Sequence, residues 1–393
     1  MRYTIKQILL SNNHWWNFYK KHDDKLRIAI VISITKLLSC KNIIRGYHEY
    51  HCSNPKCSHV KRVLHTCKSK ACSSCEIKAT KLWIEKQNNI LPKTAYQHIT
   101  FTMPRELWDF FWLNRFLFNK VSLIAANCIK AIADKKNVTP GIFTALHPFG
   151  RDLKRNVHVH LSTTLGGISK NSAQWKKLFF HQPTLMNTWR YAIITLFRQS
   201  KLIIPHAIQK QLNPTFTFNN FLDQLYKKPW VVHCAKPSDN HKHNVAYLAG
   251  YVKRPPIAES KLKHYDGHEV TLRYLDHTTN TYRNLVLSAE KFIGKFVQHI
   301  PDVGFRMIRY YGFLAHRVRG ELLPLVHQLL GQVLKSSSTP PTHAQLIQKN
   351  FNFNPLICIL CGSPLLLALV HFGSANLPTL LSKHQELAFL QKP

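Results

Sequence analysis

Three groups of side chains in this chain of 393 residues have the types and spacing needed for chemistry. The densest runs from His51 through Cys52, Cys57, His59, His65 and Cys67 to Cys72 and Cys75. Cys72-Ser73-Ser74-Cys75 is a CxxC pair, and Cys52 and Cys57 form a wider one. Two such pairs, about fifteen residues apart, can close a tetrahedral thiolate site, and zinc suits it because a d10 ion brings no geometric demand of its own. The spacing assigns Cys52, Cys57, Cys72 and Cys75 as Zn2+ ligands, with Cys67 as a fifth thiol able to replace one of them. Lys56, Lys61, Arg62, Lys68 and Lys70 crowd the same loops, where they lower thiolate pKa values and offset the negative charge of a four-thiolate site. The competing reading is a set of buried thiols without metal. Near the C-terminus, Cys358-Ile359-Leu360-Cys361 is a lone CxxC in an apolar setting. Half a site cannot hold zinc, so this pair reads as core.

The second group is Asn156-Val157-His158-Val159-His160-Leu161. On a strand, successive side chains alternate between faces, so His158 and His160 point one way and Val157, Val159 and Leu161 point into the core. Two imidazoles about 7 Å apart on one rigid face can share a divalent cation. A third ligand is wanted. Asp152 is the only acidic residue between Asp134 and Asp223 and is assigned that role, with His147 as the alternative. An exposed pair of histidines on a sheet face is the competing reading.

The third group is Tyr247-Leu248-Ala249-Gly250-Tyr251, which places two phenols at i and i+4 and so on one face of a helix. Phenolate is a covalent nucleophile type. Lys253 and Arg254 follow, suited to gripping phosphates, and Pro255-Pro256 stops the helix. An aromatic core stripe is the competing reading. Tyr310-Tyr311 is a rival pair, but adjacent residues diverge on either a helix or a strand.

These groups need elements to hold them. Helical periodicity dominates residues 1–46, then returns at Glu76–Asn89, Phe110–Ala133, Trp175–Leu202 and Val245–Lys253. Strand patterns cover Tyr96–Pro104, Gly141–Leu146, Asn156–Thr164 and Trp230–Ala235, and Val270–Leu275 with Tyr282–Leu287 reads as a hairpin. The mixture implies an α/β or α+β catalytic domain. A linker spans Ser336-Ser337-Ser338-Thr339-Pro340-Pro341. The expected organisation is a helical, zinc-stapled module at 1–90, a catalytic domain at 91–320, and a tail at 321–393.

Lys and Arg number 54 and Asp and Glu 19, giving a net charge of +35. A folded chain this basic points to a polyanionic partner, above all nucleic acid. A hydrophobic share of 45% excludes a disordered or collagen-like chain. No apolar stretch reaches the roughly 20 residues of a membrane span, and no signal-peptide core opens the chain. The expectation is a cytoplasmic protein associated with the nucleoid, and clustered cysteines there favour metal over disulfides.

In their order along the chain, the cysteine module, the His-Val-His strand and the Tyr-x-x-x-Tyr helix resemble the two-tyrosine HUH endonuclease transposases, the ninety-one family of insertion sequences. His98-Ile99-Thr100-Phe101-Thr102-Met103-Pro104 is similar to the family's first strand, and Leu146–Leu153 to part of its metal-site region. Tyr247–Pro256 is similar to its nucleophile helix, and Phe305–Phe313 to its closing segment. The resemblance covers residues 1–320. It implies an α+β fold with an antiparallel HUH-type sheet and flanking helices, Mg2+ or Mn2+ held by His158 and His160, and a zinc module that helps bind DNA at the element's ends. It also implies that Tyr247 and Tyr251 attack single-stranded DNA, leaving a 5′-phosphotyrosine and a free 3′-OH. The four-residue spacer Ser53-Asn54-Pro55-Lys56 departs from the two residues common in the family. The alternatives are a non-catalytic zinc DNA-binding protein or an inactive remnant. A three-carboxylate transposase is disfavoured by the shortage of acids around the histidines.

Overall fold

A computed structural model of the chain describes residues 3–172, 174–240, 244–246, 249, 256–276, 279–333, 342–374 and 376–382. Twelve strands are described. They are β1 (Gly46–Cys52), β2 (Val60–Leu64), β3 (Tyr96–Phe101), β4 (Val138–Phe149), β5 (Arg155–Ser169), β6 (Trp175–Lys177), β7 (Val232–Cys234), β8 (Leu262–Tyr265), β9 (Glu269–Asp276), β10 (Thr281–Ser288), β11 (Ile308–Gly312) and β12 (Leu365–Phe372). The fold is α+β.

The central sheet has the order β11-β4-β5-β3-β7, with β6 added along β5, and its pairings are antiparallel. The expected strand alternation is realised on β5. Val157, Val159 and Leu161 are fully buried on one face, together with Ile99 and Phe101 of β3 and Leu146 of β4. The helices Leu117–Asp134, Gln182–Gln199 and Phe218–Lys227 cover that face, contributing among others Val121, Trp189 and Leu222. Burial of this apolar layer fixes the register, because a slip by one residue would turn every histidine of β5 into the core.

Two smaller sheets flank the central one. The strands β8, β9 and β10 form a meander whose β9–β10 half is the expected hairpin; Val270 and Leu272 of β9, with Phe292 of the following helix Ala289–Val297, join the core of the N-terminal helices. The third sheet has the order β12-β1-β2, so a strand from near the C-terminus lies beside the N-terminal hairpin. The helix Leu377–Ser382 follows, and its Leu380 is buried in the N-terminal core.

Several elements differ from the sequence pattern. Residues 1–46 are not continuous helix. Left-handed backbone at Asn12 and Asn13 breaks the run, and the main N-terminal helices are His14–His22 and Ile28–Leu38. The span Trp175–Leu202 begins as β6, and Pro183 then starts the helix Gln182–Gln199. The linker 336–341 lies outside the described residues.

Candidate functional site

The opposite face of the central sheet carries His147, His158 and His160, with His98 of β3 beside them. His147 on β4 stands directly across the ladder from His158 on β5, and Ala145 stands across from His160. The alternation of β5 therefore puts His158, His160 and His147 together, with one ligating nitrogen from each within 4.8 Å of the others. The ring centroids lie 4.8 to 5.4 Å apart. Asp152 is not part of this group. Its carboxylate is turned back on its own loop, accepting from the Lys154 amide at 3.2 Å and pairing with the Lys154 ammonium at 2.9 Å. The third donor that the structure brings to His158 and His160 is thus His147.

Two of the rings are anchored at Nδ1, and one of them is thereby held in a defined tautomer. His158 Nδ1 donates to the Asn156 carbonyl at 2.9 Å, which leaves Nε2 with its lone pair. His160 Nδ1 lies 3.1 Å from Nε2 of His98 and 3.3 Å from the Thr100 hydroxyl, both on β3. These two contacts engage Nδ1 of His160 and leave its Nε2 outside them. Burial pushes the pKa of His158 down. It pushes His160 down further, with help from the neighbouring charges of His147, His158 and His98. Burial and His233 hold His98 down at about 4. Neutral imidazoles are the donors a divalent cation takes, and the groups behind His158 and His160 orient those rings.

A cleft of about 700 Å3 opens beside this face. It runs from His147 and Phe149 past Arg306 to Lys68, Lys70 and Cys75 of the N-terminal module. The Lys70 ammonium bonds the Phe305 carbonyl across it. The cleft thus joins the histidine group to the cysteine module with basic side chains along the way.

Tyr247, Tyr251, Lys253 and Arg254 lie outside the described residues. Their described neighbours Val245 and Ala249 are buried with Phe143 and Ala145 of β4. The register puts Phe143 and Ala145 on the same face as His147. The rival pair diverges as expected of a strand. Tyr310 opposes Phe143 and bonds Trp83 at 3.0 Å, whereas Tyr311 turns to the helix-covered core. Burial raises both phenols.

The cysteines fall into two groups rather than one. Cys40, Cys67, Cys72 and Cys75 are all buried, with their sulfurs within 4.8 Å of one another. Cys52 and Cys57 lie apart from them, with Cys358 and Cys361. The set expected from spacing, Cys52 with Cys57, Cys72 and Cys75, is therefore not brought together, and Cys67 is a full member of the first group instead of a spare. Cys40 follows the helix Ile28–Leu38, Cys67 follows β2, and Cys72 and Cys75 open the helix Ser73–Ile90. Contacts of 3.5 to 3.8 Å link Cys75 to Cys67 and Cys40, and Cys40 to Cys72. These match the edge of about 3.8 Å in a tetrahedron with Zn–S bonds of about 2.3 Å. The backbone amides of Cys67 and Ser69 donate to Cys40 and Cys67 sulfurs. Sequence spacing missed Cys40 because it ends an apolar helix, where a cysteine reads as core; the signal was the odd fifth thiol.

Residues 10–103 match the family "Transposase zinc-binding domain", and residues 141–321 match the family "Putative transposase". The chain is 37% identical to the transposase for insertion sequence element IS801 of Pseudomonas savastanoi pv. phaseolicola, over 91% of this chain and 88% of that protein. The chain belongs to the IS91 family of transposases. It is also 26% identical to "Putative transposase y4qJ" of Sinorhizobium fredii, over 81% of this chain and 83% of that one. No solved structure matches. As a transposase the chain acts on DNA, which accounts for its +35 charge. The zinc-binding match covers the whole buried cysteine group, and zinc suits its four thiols. Among the described residues no helix is long and apolar enough to cross a membrane.

Proposed function

We propose that this transposase cleaves and rejoins single-stranded DNA at the ends of its element through a 5′-phosphotyrosine. The observation that carries the reading is the grouping of His147, His158 and His160 on the sheet face whose Phe143 and Ala145 are buried with Val245 and Ala249. A divalent cation held by these three imidazoles would neutralise charge on the non-bridging oxygens of a phosphodiester. Mn2+ fits three nitrogen donors better than Mg2+, which prefers oxygen.

The remaining work falls to the chain. Thr100, His98 and the Asn156 carbonyl hold the His158 and His160 rings at Nδ1. Lys68, Lys70, Lys78 and Arg306 line the cleft where a single strand would lie, and bind its phosphates without regard to sequence. Tyr247 or Tyr251 attacks phosphorus through its phenolic oxygen. The phenol gives up its proton to solvent and the P–O3′ bond breaks as the Tyr–O–P bond forms, while the 3′ oxygen takes up a proton and leaves as a hydroxyl. The phosphotyrosine retains the energy of the broken bond, so a later attack by a 3′-OH restores a phosphodiester without ATP. Lys253 and Arg254 grip flanking phosphates. Acting on a bacterial chromosome, the protein would work at the nucleoid.

The test is nicking of a labelled single-stranded oligonucleotide carrying the element end. His158→Ala abolishes divalent-dependent nicking and leaves DNA binding within about threefold, because the phosphate-binding side chains are untouched. Wild-type protein that binds the oligonucleotide and Mn2+ yet never nicks it is a DNA-binding protein without this activity, and the reading fails.

A further inference from the structure

We propose that Cys52, Cys57, Cys358 and Cys361 form a second zinc centre, which fastens the C-terminal segment to the N-terminal module and completes its sheet. The zinc-binding family match ends at residue 103 and the transposase match at residue 321, so neither reaches Cys358 or Cys361.

The four sulfurs lie within 4.8 Å of one another although some 300 residues separate the two pairs. The Cys52 and Cys361 sulfurs are 3.3 Å apart and those of Cys57 and Cys358 are 3.8 Å apart, against an edge of about 3.8 Å around zinc. A single disulfide would need only two of these thiols. Each pair sits in a tight turn of the kind that aims two sulfurs at one point. The Cys57 amide bonds the Asn54 carbonyl at 2.9 Å and the Cys52 amide bonds the His59 carbonyl at 3.1 Å. On the other side, the Cys358 amide bonds the Ser363 carbonyl at 2.8 Å, and Gly362 returns its amide to the Cys358 carbonyl at 2.9 Å. Donors surround the sulfurs as they do around metal-bound thiolates. The Asn54 amide points at Cys52, and His59 Nδ1 lies 3.1 Å from the Cys358 sulfur.

The same turns start a sheet. Cys52 ends β1 and is registered against Leu365, the first residue of β12, and the Ser53 amide bonds the Pro364 carbonyl at 2.9 Å. Lys61 adds a bond to the Pro355 carbonyl at 2.6 Å. Apolar burial does not explain this pairing. On β12, Leu366, Leu367, Leu369 and Phe372 are 59, 53, 49 and 84% exposed. A strand that hides so little of itself gains little from the hydrophobic effect, and a two-stranded hairpin such as β1–β2 is marginal alone. A metal that binds both segments supplies the missing free energy, as structural zinc does in small domains. Four thiolates and neighbouring His59 and Lys61 suit zinc.

The experiment counts zinc in the full-length chain carrying His158→Ala and His160→Ala, so that the histidine group contributes none. Two zinc ions per chain are expected, falling to one when Cys358 and Cys361 both become Ser. Hydrogen exchange in that variant should show β12 losing protection while β4 and β5 keep theirs. Where the variant does not fold, alkylation of the unsubstituted protein decides. Cys361 is exposed, so as an unliganded thiol it would react at once. It should resist iodoacetamide until a chelator is added, then react together with Cys52. One zinc per chain, two zinc retained by the double variant, iron in place of zinc, or immediate alkylation of Cys361 would each overturn the proposal.

Discussion

His147 and His158 face each other across the β4–β5 ladder as a directly opposed pair, with ring centroids 5.4 Å apart. The opposition makes His147 the third donor, and separates it from Asp152, which is occupied by Lys154. His147→Ala should therefore weaken Mn2+ binding by about a hundredfold, whereas Asp152→Ala should change it by less than about threefold. Mn2+ should also bind more tightly than Mg2+, by about tenfold or more, because all three donors are nitrogen. Titration followed by Mn2+ electron paramagnetic resonance measures both. Equal losses from the two variants would return Asp152 to the ligand set.

His98 acts through His160. It sits on β3 with Nε2 against His160 Nδ1, so its removal frees the ring to turn. His98→Phe keeps much of the volume and removes the hydrogen-bonding nitrogen. It should lower Mn2+ affinity by about 10–100-fold, the usual cost of losing a group behind a metal ligand. His98→Gln, whose amide oxygen can accept the same proton, should recover most of it. A Phe variant with normal Mn2+ affinity would show that Thr100 alone fixes the ring.

Much of the histidine site was legible because it depends on local periodicity. A strand puts His158 and His160 on one face whatever the rest of the chain does. The choice between Asp152 and His147 was not legible, since it rests on the β4–β5 register, and that is set by burial of Leu146, Val157 and Val159 on the far side. The cysteines failed for a related reason. Spacing speaks only of neighbours, and the partners of Cys52 and Cys57 lie about 300 residues on, brought back by pairing of β12 with β1. The lone CxxC at 358–361 looked apolar because Ile359 and Leu360 are, yet both are exposed and the sulfurs on either side of them meet the other pair.

DNA binding should fall steeply with salt, since each neutralised phosphate adds about 0.9 to the slope of log K against log salt on duplex and about 0.7 on a single strand. Lys78→Ala and Arg306→Ala, both on the cleft wall, should each reduce that slope by about 1 and weaken binding to all sequences alike. Fluorescence anisotropy at several salt concentrations reads this. Unchanged slopes would place the DNA elsewhere on the basic surface.

Gly312 closes β11 against Gly141 with a φ of +61°, and a Cβ there would stand 1.7 Å from the Pro140 carbonyl oxygen. Gly312→Ala should cost at least about 1–3 kcal/mol through left-handed strain and the clash together. Each kcal/mol should lower Tm by about 2–4 °C in a domain of this size. Gly304→Ala is the control: its φ is also positive, but nothing lies within 4 Å of an added Cβ, so the loss should be smaller. Equal shifts in calorimetry would mean that the Pro140 contact relaxes freely.

If Tyr247 and Tyr251 are the nucleophiles, single-stranded DNA carrying the element end should become covalently attached to the chain. The adduct should survive denaturant and map by peptide mass to one of these two residues. Tyr→Phe is the right probe, because it keeps the ring and removes only the attacking oxygen. The single variants should each retain some cleavage if the i, i+4 spacing sets both phenols within reach of one phosphodiester. The double variant should form no adduct while folding, binding Mn2+ and binding DNA as before. Tyr310→Phe should leave the adduct intact, because that phenol is committed to Trp83 and burial holds its proton on. Tyr311→Phe should do the same, since Tyr311 faces the apolar core and away from the histidines. An adduct mapping to Tyr310 would move the nucleophile to β11 and leave the phosphotyrosine chemistry standing. Undiminished adduct in the Tyr247→Phe, Tyr251→Phe double variant would remove both residues from the reaction.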